Sequence, residues 1–237
     1  MIGIYVKSGM LDNFRDSLLS LDKELKPTYF NHREKVAFNK LLKDRRSFDS
    51  FLKANPDGYF LFSELCRYDF IIYPSNEFSC VFIDFYNKEL NEELVLSIFY
   101  CGIGDIHFGF SCQIDEYRYR NKIYINLGEN DLEAWVGRDL SKYLPGIYWR
   151  TFISKEVLKQ YSISPSAFPK ECIDDLFSKE YLLLRMFDNA SQWRENSDKL
   201  DELCSKIDGI FSIKCVKELT EKANNYIALT NTFAQWR

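Results

Sequence analysis

Apolar residues recur along this chain with two different periods, and the change of period marks where helices give way to strands. After a short apolar run from Met1 to Val6, which reads as a first strand, Leu11, Phe14, Leu18, Leu21 and Leu25 fall at steps of three and four. That spacing lays one apolar stripe along a helix, and Pro27 closes it. Val36, Phe38, Leu41 and Leu42 suggest a second helix. Phe48, Phe51 and Leu52 suggest a shorter third, ending at Asn55-Pro56-Asp57-Gly58, where Pro, Asp and Gly favour a turn.

From Tyr59 the pattern changes to aromatic and β-branched runs, Tyr59 to Leu65, Phe70 to Tyr73 and Cys80 to Tyr86, which read as strands. Pro74-Ser75-Asn76-Glu77 is short enough to make the last two a hairpin. Leu90, Leu94, Val95 and Ile98 give another helical stripe, broken by Gly102-Ile103-Gly104-Asp105 before a strand from His107 to Ile114, so a βαβ-like crossover is expected here. Ile123 to Ile125 forms a further strand. Asn130 with Glu133 resembles a capping box opening a helix that carries Leu132, Trp135, Val136 and Leu140, and Pro145-Gly146 stops it.

Ile147 to Ile153 is an extended aromatic run followed by a short helix with Val157 and Leu158, then a loop marked by Pro165 and Pro169. Tyr181 to Phe187 reads as a strand or an apolar helix. Leu200, Leu203, Cys204 and Ile207 set a helix that Gly209 ends, and a last helical region begins near Val216. Helices at both ends around a run of strands predict an α+β fold with a mixed or mainly antiparallel central sheet and helices packed on one face. With no repeat and no Gly/Ser-rich linker, residues 1–237 read as one domain with a helical N-terminal third at 8–55 and a weak boundary near 162–170.

Composition narrows the class of function. Hydrophobic residues make up 46% of the 237, with 20 Phe and 15 Tyr, which excludes a disordered chain. A net charge of -4 gives no global cationic field for nucleic acid, and the basic run Lys43-Asp44-Arg45-Arg46 reads as a solvated helix end. Met1 to Val6 meets Lys7 too soon for a signal peptide, and Leu94 to Phe110 is too interrupted to span a bilayer, so neither export nor membrane residence is expected. Seven cysteines, an odd number set mostly in apolar segments, suit reduced core thiols in a cytoplasmic setting.

The search for chemistry turns up one crowded stretch. Cys101, Asp105 and His107, with Cys112 close behind, bring thiol, carboxylate and imidazole together, which would suit a Cys–His nucleophile pair in an enzyme of unfamiliar design. A core cysteine beside a turn explains the same residues. The closest cysteines are eleven apart, so no zinc spacing exists, and neither common glycine-rich phosphate cradle occurs. No metal and no cofactor is expected.

Binding residues are sought instead among acids and aromatics. Glu129, Asp131 and Glu133 fall together, an arrangement that a helix N-terminal dipole also explains. Glu171, Asp174 and Asp175 share one helical face, as do Asp198, Asp201 and Glu202; such faces are either solvated or shaped for a basic partner. Of the Trp-Arg pairs, Trp149 reads as core, whereas Trp193, flanked by Ser191, Gln192, Arg194 and Glu195, reads as a surface anchor.

Leu132-Glu133-Ala134-Trp135-Val136-Gly137-Arg138-Asp139-Leu140, followed by Leu144-Pro145-Gly146-Ile147-Tyr148-Trp149-Arg150-Thr151-Phe152-Ile153-Ser154, resembles a segment of bacterial immunity proteins that protect cells from polymorphic or type VI-delivered toxins. The immunity protein 52 type is the one it resembles. The resemblance covers the C-terminal half, where Leu182 to Phe187 preceding Ser197 to Ile207 repeats the order of a strand and a helix; Arg150-Thr151 stands where that group has Asn. It implies a non-enzymatic inhibitor that binds and neutralises a cognate protein toxin, and it carries over no catalytic residue. Glu129, Asp131, Glu133, Glu171, Asp174, Asp175 and Trp193 are then the partner-facing candidates. An enzyme built on Cys101, Asp105, His107 and Cys112, or a scaffold that self-associates into a homo-oligomer, remain the alternatives.

Overall fold

A computed structural model describes residues 1–73, 76–87, 90–126, 131–136, 140–174, 180–214, 227–228 and 231. The chain divides into two compact units, Met1–Ser111 and Cys112–Arg237. The fold is α+β, and its strands pair antiparallel.

The first unit is built on β1 (Ile2–Lys7), α1 (Leu11–Leu18), β2 (Tyr29–Asn31), α2 (Arg45–Ala54), β3 (Gly58–Phe62), β4 (Cys66–Ile71), β5 (Phe78–Phe85), α3 (Glu92–Cys101) and β6 (Ile106–Ser111). Its strands lie in the order β6-β1-β5-β4-β3-β2, each antiparallel to its neighbour. Because β5 and β6 both run antiparallel to β1 between them, they are parallel to each other, and α3 joins them as the expected crossover. The aromatic runs become strands because alternate residues can be sealed in the core: in β4, Cys66, Tyr68 and Phe70 are buried while Arg67, Asp69 and Ile71 are half-buried. Gly58 makes the turn into β3 with φ +152, and a Cβ there would lie 2.4 Å from the Phe70 carbonyl oxygen, so no other residue fits without displacing β4.

Two helical expectations in this unit change. α1 ends at Leu18, short of Pro27, because the chain turns through Ser20 and then Asp22, whose carbonyl accepts from both Leu25 N and Lys26 N. Leu25 is still buried, reached from a turn, and its carbonyl accepts the Tyr68 hydroxyl at 2.6 Å. Val36, Phe38, Leu41 and Leu42 form no helix. Leu41 bridges Tyr29, Leu42 N donates to the Thr28 carbonyl, and Phe38 is 75% exposed, so pairing with β2 overrides the apparent stripe. The basic run opens α2, where Asp44 caps Ser47 N at 3.2 Å and Arg45 pairs Asp49 in solvent.

The second unit contains α4 (Ile114–Asn121), β7 (Lys122–Asn126), β8 (Asp131–Trp135), β9 (Arg150–Ser154), α5 (Lys155–Gln160), β10 (Tyr181–Arg185) and α6 (Trp193–Ser205). β7 pairs with β8 and β9 with β10, so Tyr181 to Arg185 is a strand. The helix expected from Leu132 onward is instead β8: Asp131-Leu132-Glu133-Ala134-Trp135 alternates polar and apolar with period two, and pairing opposite β7 decides between the periods. Asn130 lies outside the described residues, as does the helical region expected from Val216. Residues 162–170, the weak boundary of the sequence reading, lie within this unit. Its core gathers Leu144, Ile147, Tyr148, Phe152, Ile153, Leu184, Leu200 and Phe211.

Among the described residues no helix is long and apolar enough to cross a membrane. Among the described residues, Cys66, Cys80, Cys101, Cys112, Cys172 and Cys204 are in no disulfide.

Candidate functional site

α4 packs polar residues inward. Glu116 and Arg120, one turn apart, are 1% and 3% exposed, and Asn121 is fully buried. The Arg120 guanidinium is held from several sides: Nη1 donates to the Ile147 carbonyl, Nη2 lies 3.4 Å from Cys204 Sγ, and the Tyr148 ring sits 4.6 Å beneath it. Asn121 ties three segments together, donating to the Val136 and Pro145 carbonyls at 3.1 and 3.3 Å while accepting the Tyr148 hydroxyl. Glu116 Oε1 is 3.5 Å from Arg120 Nη1, yet neither carboxylate oxygen receives a hydrogen bond from any described residue. Burial therefore pushes the Glu116 carboxyl up to about 7 despite the neighbouring Arg120 charge.

Arg120 also reaches a cavity of roughly 600 Å³ between α4 and α6, walled by Tyr119, Ser197, Asp198, Asp201, Glu202, Lys206 and Lys214. Asp201 fixes the rim: its carboxylate accepts Ile213 N at 2.8 Å and Lys214 N at 3.0 Å, together with the Ser212 hydroxyl at 3.0 Å. Lys206 Nζ donates to Glu202 at 2.7 Å, and this bond holds the Glu202 carboxyl below its ordinary value. Asp198 is exposed on the same helix face. The cavity thus presents fixed charges of both signs beside the half-exposed Tyr119, which suits recognition of a polar or cationic group from a partner better than proton transfer.

The acids expected to face a partner are dispersed. Glu133 lies on β8 and pairs Lys122 at 2.9 Å; it has no helix N-terminus to stand in, because β8 replaces that helix. Asp131 pairs opposite Asn126 through the backbone of β8, and Glu129 lies outside the described residues. Glu171 is exposed in a 3-10 turn, Lys170–Cys172, so it shares no helical face with Asp174. Asp174 receives Arg150 Nη1 at 2.9 Å, and Arg150 is 2% exposed, so this acid offsets a buried cation. Asp175 lies outside the described residues.

Trp193 is 5% exposed, which corrects its reading as a surface anchor. It begins α6 and turns inward beside Tyr119 at 5.6 Å, with the Arg194 guanidinium 4.4 Å over its ring. Its polar neighbours occupy the solvent side of the same turn. Trp149 is in the core as expected, at 2% exposure.

The crowded stretch loses its nucleophiles. Cys101 donates its thiol to the Ile98 carbonyl at 3.3 Å, and burial, with Asp105 adding to it, pushes that thiol up to about 12. Cys112 is fully buried and raised well above the ordinary thiol value by the same desolvation. His107 is 8% exposed, with Nδ1 3.0 Å from the Asp105 carbonyl and its ring edge-on to Phe78. Neither thiol is placed to ionise near neutral pH.

Sequence reasoning missed Tyr119, Arg120, Lys206 and Lys214. The available signal was the Glu116–Arg120 spacing of one helical turn. Comparison with protein-family models, with curated proteins and with solved structures finds no match.

Proposed function

We propose that this chain is a non-catalytic binding protein of the bacterial immunity type, acting in the cytoplasm by capturing and neutralising a cognate toxin. The observation that carries the reading is the open, charged cavity under α6, where Asp198 and Glu202 stand beside Tyr119 over a braced floor. Such a surface suits a basic side chain of a protein partner: the acids speed encounter, and the aromatic supplies contact area. Largely buried cysteines that form no disulfide among the described residues agree with a reducing compartment.

The test is co-purification of the tagged chain with products of neighbouring genes, followed by association kinetics of Asp198→Lys combined with Glu202→Lys. The double reversal is expected to slow association at low salt and to matter less at high salt, since screening shortens the reach of these charges. A chain that neither binds nor neutralises any neighbouring product ends the immunity reading. Unchanged kinetics at both salt concentrations remove α6 from the interface.

A further inference from the structure

We propose that the first unit docks an acidic segment of a protein partner by seating one bulky apolar side chain of that segment in a pocket beside the end of α1. This property is separate from the cavity beside α6. The pocket has a volume of roughly 360 Å³ and is walled mostly by apolar groups: Leu19 just after α1, Pro27 shortly before β2, and Leu41 and Leu42 from the segment that lies against β2. Lys26 and Lys43 complete it. A concave apolar site of this size with few polar groups suits a compact hydrocarbon body.

Local pairing builds the wall. Leu42 N donates to the Thr28 carbonyl at 3.0 Å and Phe30 N to the Lys40 carbonyl at 3.1 Å, so residues 40–42 run beside β2 as a short ribbon. The ribbon holds Leu41 and Leu42 by their backbones, and both, like Leu19, stay half-buried. The Leu41 carbonyl is occupied, accepting Asp44 N at 3.1 Å. A partner is therefore held here through side chains rather than by adding a strand.

Charge selects the partner. Lys26 and Lys43 are exposed, and neither side chain has an ion-pair partner among the described residues. Around them, residues 19–46 carry eight Lys and Arg against four Asp and Glu, in a chain whose net charge is -4. Two of those acids are engaged, Asp44 in capping α2 and Glu34 with Arg67. This local excess of cations favours an anchor flanked by carboxylates. It extends over more residues than one small acid can meet, and the pocket is concave where a bilayer presents a flat face, so a peptide segment fits better than either. Phe38, 75% exposed on the same stretch, adds aromatic surface of the kind that interfaces cover.

The full chain with ¹³C-labelled leucine methyls is titrated by NMR with acetyl-Glu-Asp-Leu-Phe-Glu-Asp-amide, with the same peptide carrying Ala-Ala for Leu-Phe, and with acetyl-Lys-Lys-Leu-Phe-Lys-Lys-amide. The acidic peptide is expected to shift the Leu19, Leu41 and Leu42 methyl signals saturably. The Ala-Ala peptide is expected to bind about tenfold more weakly, the worth of one buried large apolar side chain, and the basic peptide to leave the signals in place. Lys26→Glu combined with Lys43→Glu alters two exposed side chains and is expected to weaken the acidic peptide about tenfold at low salt and less at high salt, with an otherwise native spectrum reporting the fold. Decanoate and phosphatidylglycerol vesicles test the other occupants. Tighter binding of decanoate than of the acidic peptide, or co-sedimentation with vesicles that the double substitution abolishes, assigns the pocket to an amphiphile or a membrane and overturns the proposal. Absence of a saturable shift, equal binding of the Ala-Ala or basic peptide, or undiminished affinity in the double variant overturns it as well.

Discussion

Each unit buries an arginine on a helix, and the two are treated oppositely. Arg120 in the second unit has the Ile147 carbonyl, the Cys204 sulfur, the Tyr148 ring and the Glu116 carboxylate around it. Arg15 in the first unit has a surface aspartate on one nitrogen, the Phe48 ring 5.8 Å from its guanidinium, the Tyr59 hydroxyl beside it, and an Nε that makes only a loose ion pair with Asp16 at 3.8 Å. A buried guanidinium surrounded by its own chain is part of the scaffold. One held mainly by exposed acids is a looser attachment on which less of the fold depends. Burial of charge is therefore no guide to function until the partners of each atom have been traced.

The same substitution at both sites gives the sharpest contrast. Arg120→Met at pH 8 strands the Ile147 carbonyl and leaves Glu116 without its counter-charge, so a loss of about 3–5 kcal/mol in urea unfolding is expected. A loss below about 1 kcal/mol would mean that the Arg120 cluster contributes little and the contrast is false.

Glu116 provides the next largest effect, and its sign follows from its raised carboxyl. Below 4.5 the group is protonated in the folded and unfolded chain alike. Between 4.5 and about 7 the unfolded chain releases a proton that the folded chain keeps, so stability falls as pH rises, and above about 7 the full penalty is present. At 1.36 kcal/mol per unit this amounts to about 3 kcal/mol as an upper figure. Glu116→Gln is expected to flatten that slope in denaturation curves taken across the window; an unchanged slope would place the titration elsewhere.

What the sequence disclosed and what it hid divide along the same physical line. β3, β4 and β5 were legible because aromatic and β-branched runs report burial directly, and α3 because its apolar positions keep helical spacing. α4 was invisible. It buries Glu116, Tyr117, Arg120 and Asn121, and a pattern that equates inward with apolar reads those positions as solvent. β8 was misassigned because a capping-box signature and a period-two alternation occupy the same few residues, and only the partner strand β7 decides between them. Trp193 was misplaced for a related reason: polar neighbours describe the turn around a residue and not the direction of its side chain. Neither cavity had a sequence signal, since each is assembled from segments separated along the chain.

The counterpart at the other arginine should be milder. Arg15→Met gives up one bond to Asp12, which is 79% exposed, a loose ion pair with Asp16 and a contact with the Phe48 ring. Exposed partners hold little energy, so a loss of about 1 kcal/mol is expected under the urea conditions used for Arg120→Met. Equal losses at the two sites would erase the distinction between them.

Tyr59→Phe carries the smallest expected change and tests the contrast most finely. Its hydroxyl is buried beside Arg15 without a well-aligned hydrogen bond, so deleting it relieves a desolvation penalty while the ring keeps its stack on Phe70 at 4.7 Å. The hydroxyl's electrostatic contact with Arg15 offsets part of that gain, and the net is expected to lie between no change and about 1 kcal/mol of stabilisation at pH 7, with an unchanged urea dependence. Alkaline unfolding supplies an independent reading. Burial raises the folded hydroxyl from 10.0 to about 12, so the parent loses stability as pH rises through that interval, because the unfolded chain ionises first. The phenylalanine variant lacks this loss, and its advantage over the parent should grow with pH above 10.0. Destabilisation of more than about 1 kcal/mol at neutral pH would show that the hydroxyl already serves a hydrogen bond within the fold, and Arg15 would then belong with Arg120 as scaffold.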